Sequence, residues 1–270
     1  MAAPPLRLAA RGLTDVGQRR DHNEDALLID VDLGLFVVAD GMGGHAGGAT
    51  ASRLAVETIR GELLEARKEE PSLFGSGAEG EDNPLPDLLG QAVERSCAVI
   101  FQAAQAEPEL AGMGTTVTAV LVDGRGAFVA HVGDSRAYLL RSGHIYQVTQ
   151  DHSLVAEQLR MGAISADEAR NSRFKNIITR SVGFEQSVQV DLMGLELEPG
   201  DSIVVCCDGL SNMVEDREIL ALIEQHGVDA VEALVDLANE RGGDDNITVA
   251  LIQLAESEPA SQVAPSGETP

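Results

Sequence analysis

The chain has 270 residues, of which 44% are hydrophobic and 23% are charged, a composition typical of globular proteins and unlike that of disordered or collagen-like chains. Its formal net charge of −25 argues against a nucleic-acid binder or a protein that adsorbs to anionic membranes, since both need excess Lys and Arg. The three cysteines form no disulfide framework, and neither a signal peptide nor a membrane-spanning run is evident. We therefore expect a soluble protein of the reducing cytoplasm.

Short apolar or β-branched runs, most of them bounded by glycine or aspartate, predict six strands. These strands span residues 35–39, 116–122, 127–132, 137–141, 203–207 and 247–254. Turn sequences at 123–126 and 142–143 predict hairpins, the second of which would pair 137–141 with 145–148. The middle of the chain should therefore form antiparallel sheet.

Apolar residues at helical spacing predict three helical regions. The first has a stripe formed by Ala51, Ala55, Ile59 and Leu63. The second stripe runs over 89–104, with Asp87 as its predicted N-cap, and the third region, 218–240, is interrupted at Gly227. This order of strands and helices favours a layered α+β domain.

Two segments lack any periodicity. Residues 67–86 are acidic and contain Gly, Pro and Ser, which predicts a surface loop. Residues 255–270 are polar and rich in proline, which predicts a disordered tail. Because there is neither an internal repeat nor a linker, residues 1–254 should form one domain.

The most informative pattern is the placement of acidic residues at the ends of apolar runs. Runs of this kind lead to Asp40, Asp134 and Asp208. Asp25 directly precedes another run, and Asp245 lies two residues before the run that begins at Ile247. Aspartate often ends a strand simply because its side chain stabilises turns. If these ends converge, however, two carboxylates 4 Å apart repel by about 4 kcal/mol at an effective dielectric of 20. Either raised pKa values or a divalent cation must then offset the repulsion, and oxygen ligands favour Mg²⁺ or Mn²⁺.

A glycine-rich stretch, residues 41–48, follows Asp40 directly. It predicts either a tight turn whose backbone carbonyl approaches an ion or a flexible connection from strand to helix. It is not a Walker A loop, because neither lysine of the chain, Lys68 or Lys175, follows a glycine. Arg20 precedes the acidic pair at 24–25 and suits phosphate binding, although most single arginines are solvated surface charges.

Six motifs occur in the order found in metal-dependent Ser/Thr protein phosphatases of the PP2C type (PPM family), and the chain resembles their bacterial branch. They are RDHNED at 20–25, VADGMGGH at 38–45, GTT at 114–116, GDSR at 133–136, DG at 208–209 and DDNIT at 244–248. The resemblance covers about residues 8–254. It implies a four-layer α-β-β-α sandwich with two antiparallel sheets and a binuclear Mn²⁺ or Mg²⁺ centre in a cleft at one end.

The resemblance also implies ligands for these ions. Asp40 would bridge the two ions, Asp208 and Asp245 would hold the first, and the carbonyl of Gly41 would serve the second. Asp134 would share a third, weaker ion with Asp208. Asn246 would support this group without binding an ion.

The catalytic roles implied by the resemblance complete the site. Glu24 and Asp25 would act through water, and Arg20 would hold the phosphate while a metal-activated water attacks phosphorus without a covalent enzyme intermediate. Animal members carry a histidine general acid directly after the Asp-Gly, where this chain has Met42. Either His45, three residues on, or a water would supply the proton here.

The implied substrates are phosphoserine and phosphothreonine on proteins, within a pathway that includes a Ser/Thr kinase. A phosphatase of a sigma-factor pathway is the alternative within the same fold. The resemblance places a mobile flap at about 165–178, which together with 67–86 would select partners. We expect a monomer.

Other classes of protein fit the residues less well. A Cys-based phosphatase is excluded because no cysteine has an arginine six residues later. A serine hydrolase would use a Gly-Asp-Ser serine, Ser135 or Ser202, but these lie far from the N-terminus and lack a C-terminal Asp-x-x-His. A pseudo-enzyme that binds metal without turnover is a further alternative.

Overall fold

The computed structural model describes residues 6–44, 46–75, 83–124, 126–170 and 172–256. The strands are β1 (Leu6–Asp15), β2 (Ala26–Asp30), β3 (Leu35–Ala39), β4 (Gly41–Met42), β5 (Gly114–Thr115), β6 (Val117–Asp123), β7 (Gly126–Val132), β8 (Arg136–Arg141), β9 (His144–Gln147), β10 (Asp191–Glu196), β11 (Ser202–Cys206) and β12 (Ile247–Glu256). The helices are α1 (Ala46–Glu69), α2 (Leu85–Ala106), α3 (Leu154–Arg160), α4 (Ala166–Arg170), α5 (Asp208–Ser211), α6 (Asp216–His226) and α7 (Ala230–Glu240). Among the described residues, no helix has the length and apolar character needed to cross a membrane.

Ten of the strands form two antiparallel sheets of five. Their orders are β1-β12-β11-β8-β9 and β10-β7-β6-β3-β2, while β4 and β5 form a separate short pair. Asp123 lies opposite Gly126, and Arg141 lies opposite His144, so both predicted hairpins are confirmed. The pairing of β1 with β12 joins the two ends of the described chain over ten residues of each strand.

Strand β3 explains why the second sheet is covered on both faces. Its five residues are all buried, as expected of a strand with no solvated side. Phe36 and Val38 pack between the two sheets. Leu35, Val37 and Ala39 point the other way and pack with α1 and α2.

Strand β11 shows that the first sheet is also covered on both faces. Val204 and Cys206 pack with α6 and α7, whereas Ile203, Val205 and Cys207 pack between the sheets. The two adjacent cysteines therefore occupy opposite faces, as predicted. The outer helices and inner sheets together confirm the four-layer α-β-β-α sandwich.

The helical stripes are confirmed and one predicted cap is wrong. The predicted apolar positions of α1 are fully buried, and α2 buries the stripe over 89–104. Gly227 separates α6 from α7 with a φ of 59°. Asp87 does not cap α2, because the helix begins at Leu85, whose N–H donates to the Asn83 side chain.

The other differences concern segment ends and two strands without a strong local pattern. Helix α1 continues to Glu69, so the predicted loop 67–86 is shorter than expected, and residues 76–82 lie outside the described residues. The sequence reading missed β1 and β10, whose burial alternates along the strand and leaves no apolar run. Strand β12 continues to Glu256, two residues past the expected boundary, and the rest of the predicted tail is not described.

Candidate active site

The acidic strand ends converge at one end of the sandwich. They surround a cavity of about 540 Å³. The predicted site residues that line it are Arg20, Glu24, Asp40, Gly41, Asp134, Asp208 and Asp245. Asp25 lies behind this wall, where ligand atoms of Asp25, Asp40 and Cys207 all lie within 4.8 Å of one another. His45 falls outside the described residues.

The topology explains the convergence. Asp40 follows β3 and Asp134 follows β7 in one sheet, while Asp208 follows β11 and Asp245 precedes β12 in the other. Because the strands are antiparallel, the end of β11 and the start of β12 lie at the same edge. The two sheets of the sandwich thus contribute carboxylates to one cavity.

Asp25 and Asp40 form the inner part of the group. Burial raises the pKa of Asp25 to about 7 although the Thr248 hydroxyl donates to Asp25 Oδ2 at 2.6 Å. Asp25 Oδ1 is buried without a hydrogen-bond partner among the described residues. Burial, followed by repulsion from Asp25 and Asp208, raises the pKa of Asp40 well above its usual range.

Asp208 and Asp134 are two further acids of the group with raised pKa values. Burial and then the neighbouring Asp245 raise the pKa of Asp208, and in the described chain its Oδ1 also has no hydrogen-bond partner. The other oxygen accepts a hydrogen bond from Asn212 Nδ2 at 3.1 Å. Burial and repulsion from Asp208 raise the pKa of Asp134 to about 8.

Arg20 and Asp245 meet at the cavity mouth. Arg20 donates to Asp245 Oδ2 at 2.6 Å, and both side chains keep some exposure to solvent. A guanidinium has five N–H donors in a planar fork, so this contact leaves N–H groups that can donate hydrogen bonds to a phosphate. Asn246 holds the segment carrying Arg20 by donating to the carbonyls of Val16 and His22.

The glycine-rich turn brings backbone close to the carboxylates. A Cβ on Gly41 would overlap the carbonyl oxygens of Glu24 and Gly48, so no other residue fits there without displacement. The Ser52 hydroxyl donates to the Glu24 carbonyl at 2.6 Å, which fixes the same contact from the helix side. The expected tight turn does not span 41–48, because Gly41 and Met42 form β4 and residues 46–48 begin helix α1.

These observations test whether the residues suit a cation. The carboxylates offer oxygen ligands only, and two of their buried oxygens have no hydrogen-bond partner in the part of the chain described. Buried polar atoms are almost always satisfied, so such orphans indicate a missing ligand. Mg²⁺ or Mn²⁺ prefers oxygen donors and would favour the ionised carboxylates, in opposition to the raised pKa values. The residues fit a divalent-cation centre.

Sequence reasoning missed several residues that support the site. The Thr116 hydroxyl accepts a hydrogen bond from the Asp40 N–H at 3.0 Å and lies 2.8 Å from the Ser135 hydroxyl, which connects two of the acidic loops. Cys207 donates to the Asn246 carbonyl and accepts from the Thr248 N–H. Thr116 belongs to a recognised motif, but only the fold brings Cys207 beneath Asp25 and Asp40.

The serine-hydrolase alternative does not fit the structure. Ser135 is fully buried and its hydroxyl pairs with Thr116. Ser202 is also buried, and its hydroxyl accepts from Gln253. Neither serine lines the acidic cavity, so neither is placed as a nucleophile.

Comparisons with known proteins agree with this site. The family model described as protein phosphatase 2C matches residues 17–251. The serine/threonine phosphatase stp of Listeria monocytogenes is 37% identical over 245 residues, which cover 89% of this chain and 93% of that protein. The Mycobacterium tuberculosis serine/threonine phosphatase PstP/Ppp has a TM-score of 0.81 at 36% identity, covering 93% of this chain and 100% of that one. The PstP catalytic domain in complex with two manganese ions has a TM-score of 0.78 at 34% identity, with 93% and 99% covered. The chain therefore belongs to the protein phosphatase 2C family of metal-dependent serine/threonine phosphatases.

Proposed function

We propose that the core site of this chain holds two Mn²⁺ or Mg²⁺ ions, with a third bound more weakly, and dephosphorylates phosphoserine and phosphothreonine on proteins. The observation that carries this proposal is the group of buried carboxylates with orphaned oxygens beside Arg20 in an open cavity. Without a cation, their repulsion would oppose folding. When a cation is bound, relief of this repulsion contributes to the binding energy.

The proposed ligands are those that the resemblance to the family implies for the residues at the cavity. Asp40, which lies among the other carboxylates, would be shared by the two core ions. Asp208 and Asp245 would complete the first and the carbonyl of Gly41 the second. Asp134, whose pKa is raised chiefly by burial and then by Asp208, would share the weaker third ion with that residue.

When bound, the cations lower the pKa of water so that it can attack phosphorus at neutral pH. Arg20 offsets negative charge on the phosphoryl oxygens and orients the phosphate from the cavity mouth. Glu24 and Asp25 accept hydrogen bonds from water and so orient it. His45 is one candidate to donate a proton to the leaving alkoxide, and a water molecule is the other.

The proposal needs no covalent enzyme intermediate. The three cysteines are buried and unpaired, and burial raises the pKa of Cys206 to about 12, which keeps the thiol protonated and poorly nucleophilic. The unpaired cysteines also support a reducing cytoplasmic location.

The wider context of the site is part of the proposal. The physiological substrates would be phosphoproteins of a Ser/Thr kinase pathway, and the chain would act as a monomer. Asn176 and Ile178 line the cavity, which supports a substrate-facing role for the flap at about 165–178. We expect weak selectivity for sequence around the phosphate, because the cations and Arg20 would make the main contacts.

The test compares two adjacent aspartates. Hydrolysis of p-nitrophenyl phosphate is measured with Mn²⁺ and with EDTA, followed by phosphothreonine and phosphotyrosine peptides. We expect Mn²⁺-dependent turnover with preference for phosphothreonine, abolished in Asp245→Asn and retained in Asp244→Asn, whose side chain is 66% exposed. Mn²⁺ binding without turnover would favour the pseudo-enzyme, and turnover in EDTA would overturn the proposal.

A further inference from the structure

His152 lies between two walls of the cavity, although it does not line the cavity itself. Its residue is only 3% exposed. On one side is Gly133, which directly precedes Asp134. On the other side is segment 176–180, of which Asn176 and Ile178 line the cavity. Hydrogen bonds of His152 extend toward both walls.

The contact with Gly133 is reciprocal. The Gly133 N–H donates to His152 Nδ1 at 3.0 Å, and the His152 N–H donates to the Gly133 carbonyl at 2.7 Å. Gly133 has a φ of 116°, and a Cβ there would come within 2.6 Å of Thr116, so a residue with a side chain does not fit there without displacement. Because an amide N–H can only donate, Nδ1 must be the unprotonated nitrogen, and the neutral ring carries its hydrogen on Nε2. Burial lowers the pKa of His152, which favours this neutral form.

The opposite edge of the ring connects to the other wall. His152 Nε2 donates to Asp191 Oδ2 at 3.0 Å, and Arg180 donates to Asp191 Oδ1 at 2.6 Å. The Thr179 N–H donates to the His152 carbonyl at 2.8 Å. Ile178 forms an isolated bridge with Ser153, the next residue. The segment that lines the cavity is therefore fastened to His152 by side chain and backbone.

His131 provides an internal comparison. Its ring lies 4.9 Å from that of His152 and is fully buried. It bonds to the Thr118 hydroxyl and to the Gln150 carbonyl, and thus to neither cavity wall directly. Packing alone therefore does not account for the two contacts that distinguish His152.

We propose that His152 is a positioning residue that holds Asp134 and the cavity wall at 176–178 in one fixed relation. The inference rests on the proposed function, in which Asp134 binds the weaker third cation. One nitrogen of the ring sets the loop that carries Asp134, and the other sets the wall that faces substrate. Losing either contact should disturb one property of the site and spare the other.

Two substitutions separate the contacts. In His152→Asn the amide oxygen takes the place of Nδ1 and still accepts from the Gly133 N–H, but the shorter side chain no longer reaches Asp191. In His152→Gln the longer side chain still donates to Asp191, but the Gly133 N–H has no acceptor. His144→Asn, at an exposed histidine of β9, is the matched control.

Mn²⁺ affinity, measured by calorimetry, and the KM for a phosphothreonine peptide are the two readouts. We expect His152→Gln to weaken the lowest-affinity Mn²⁺ binding step about 10-fold, the effect typical of losing a group that orients a metal ligand. Asp134→Asn should weaken the same step further. We expect His152→Asn to retain Mn²⁺ affinity and raise KM severalfold, while His144→Asn matches wild type in both readouts.

The outcomes separate this inference from the function on which it rests. Failure of the wild type to bind Mn²⁺ would overturn the proposed function, and unchanged Mn²⁺ binding in Asp134→Asn would overturn the role of that residue. Equal effects of both His152 variants on both readouts, or no effect, would leave His152 with a packing role and overturn the inference. If His152→Gln does not fold, His152→Ala, which loses both contacts, is compared with Asp191→Ala, which loses only the wall contact. The lowest-affinity Mn²⁺ binding step should then weaken in His152→Ala and not in Asp191→Ala, and equal Mn²⁺ affinity in the two variants would overturn the inference.

Discussion

Carboxylates with buried oxygens have different surroundings at the start of β11 and at the cavity. Before β11, Asp201 is 2% exposed, and its oxygens accept from Arg141 at 2.6 and 2.9 Å and from the Glu198 N–H at 2.7 Å. At the cavity, Asp25 and Asp208 are each left with one buried oxygen that no described residue satisfies.

The difference separates an acid that is compensated within the fold from acids that are proposed to bind a cation. Asp201 has a guanidinium and an amide, so its charge is compensated within the fold. Asp25 and Asp208 have mainly other carboxylates around them, and their pKa values rise. Folds tend to break local rules of polar satisfaction at functional sites, and the orphaned oxygens mark this one.

The largest expected effect comes from replacing one of the acids at the cavity. Asp208→Asn should lower kcat with Mn²⁺ by at least about 100-fold. Loss of a group that only orients a metal ligand costs up to about this much, and loss of the ligand itself should cost no less. In EDTA its melting temperature should equal or exceed that of the wild type, because one repulsive charge is gone. Steady-state kinetics and thermal unfolding check both parts, and near-normal kcat would contradict the assignment.

The matched change on the structural side should have the opposite profile. Asp201→Asn weakens the contact with Arg141 and should cost about 2 kcal/mol of unfolding free energy, as for a charged hydrogen bond. Its Mn²⁺ affinity and kcat should stay close to wild type. Urea unfolding measures the loss, and a selective loss of Mn²⁺ binding in a folded Asp201→Asn protein would remove the distinction between the two regions.

Arg20 is the cavity's counterpart to Arg141, yet it is more exposed. Its pair with Asp245 is solvent-accessible and should contribute less than about 1 kcal/mol to stability. Arg20→Ala should instead raise KM for a phosphopeptide about 10-fold, as expected for loss of a charge-assisted hydrogen bond. Arg20→Lys keeps the charge without the planar fork, so its KM should lie between those of the wild type and Arg20→Ala. A large loss of Mn²⁺ affinity without a KM effect would contradict the phosphate role.

The metal-free protein should lose stability as pH rises from about 7 to 8.5. The folded pKa values of Asp25 and Asp134 are raised to about 7 and about 8 from an ordinary 3.8, so folding favours their protonated forms. That contribution is fully present below the ordinary value and is lost as pH rises through the folded values. His131 and His152, whose pKa values are lowered, act oppositely but only below about pH 7.

Thermal unfolding in EDTA at the two ends of this pH window checks the prediction. We expect a fall of about 3 °C, equivalent to roughly 1 kcal/mol for a chain of this size. Saturating Mn²⁺ should abolish the fall, because it favours the ionised carboxylates. A melting temperature that rises with pH in EDTA would show that these acids are compensated in some other way.

The sequence predicted the acids because each one adjoins a strand with a strong local signal. Asp40 and Asp208 each follow a fully buried strand, and these strand ends of the two sheets face the same cavity. The stripes of α1 and α2 were equally predictable, since they depend only on helical spacing. These features require no knowledge of distant contacts.

The rest depends on contacts between distant residues. Strand β1 is paired with β12 across almost the whole chain, and its alternating residues resemble a polar N-terminus until that partner is present. No local pattern assigns a role to His152, because its contacts with Gly133 and Asp191 exist only in the folded chain. Local propensity cannot indicate such roles.

Calorimetric titration of the wild-type chain with Mn²⁺ at pH 7.5, in two buffers of different ionisation enthalpy, tests the central claim most directly. If the orphaned acids form the cation site, Mn²⁺ will bind and release protons, because ligands with raised pKa values must ionise. The two buffers will then give different apparent enthalpies. No binding, or binding with identical enthalpies in both buffers, would contradict the account.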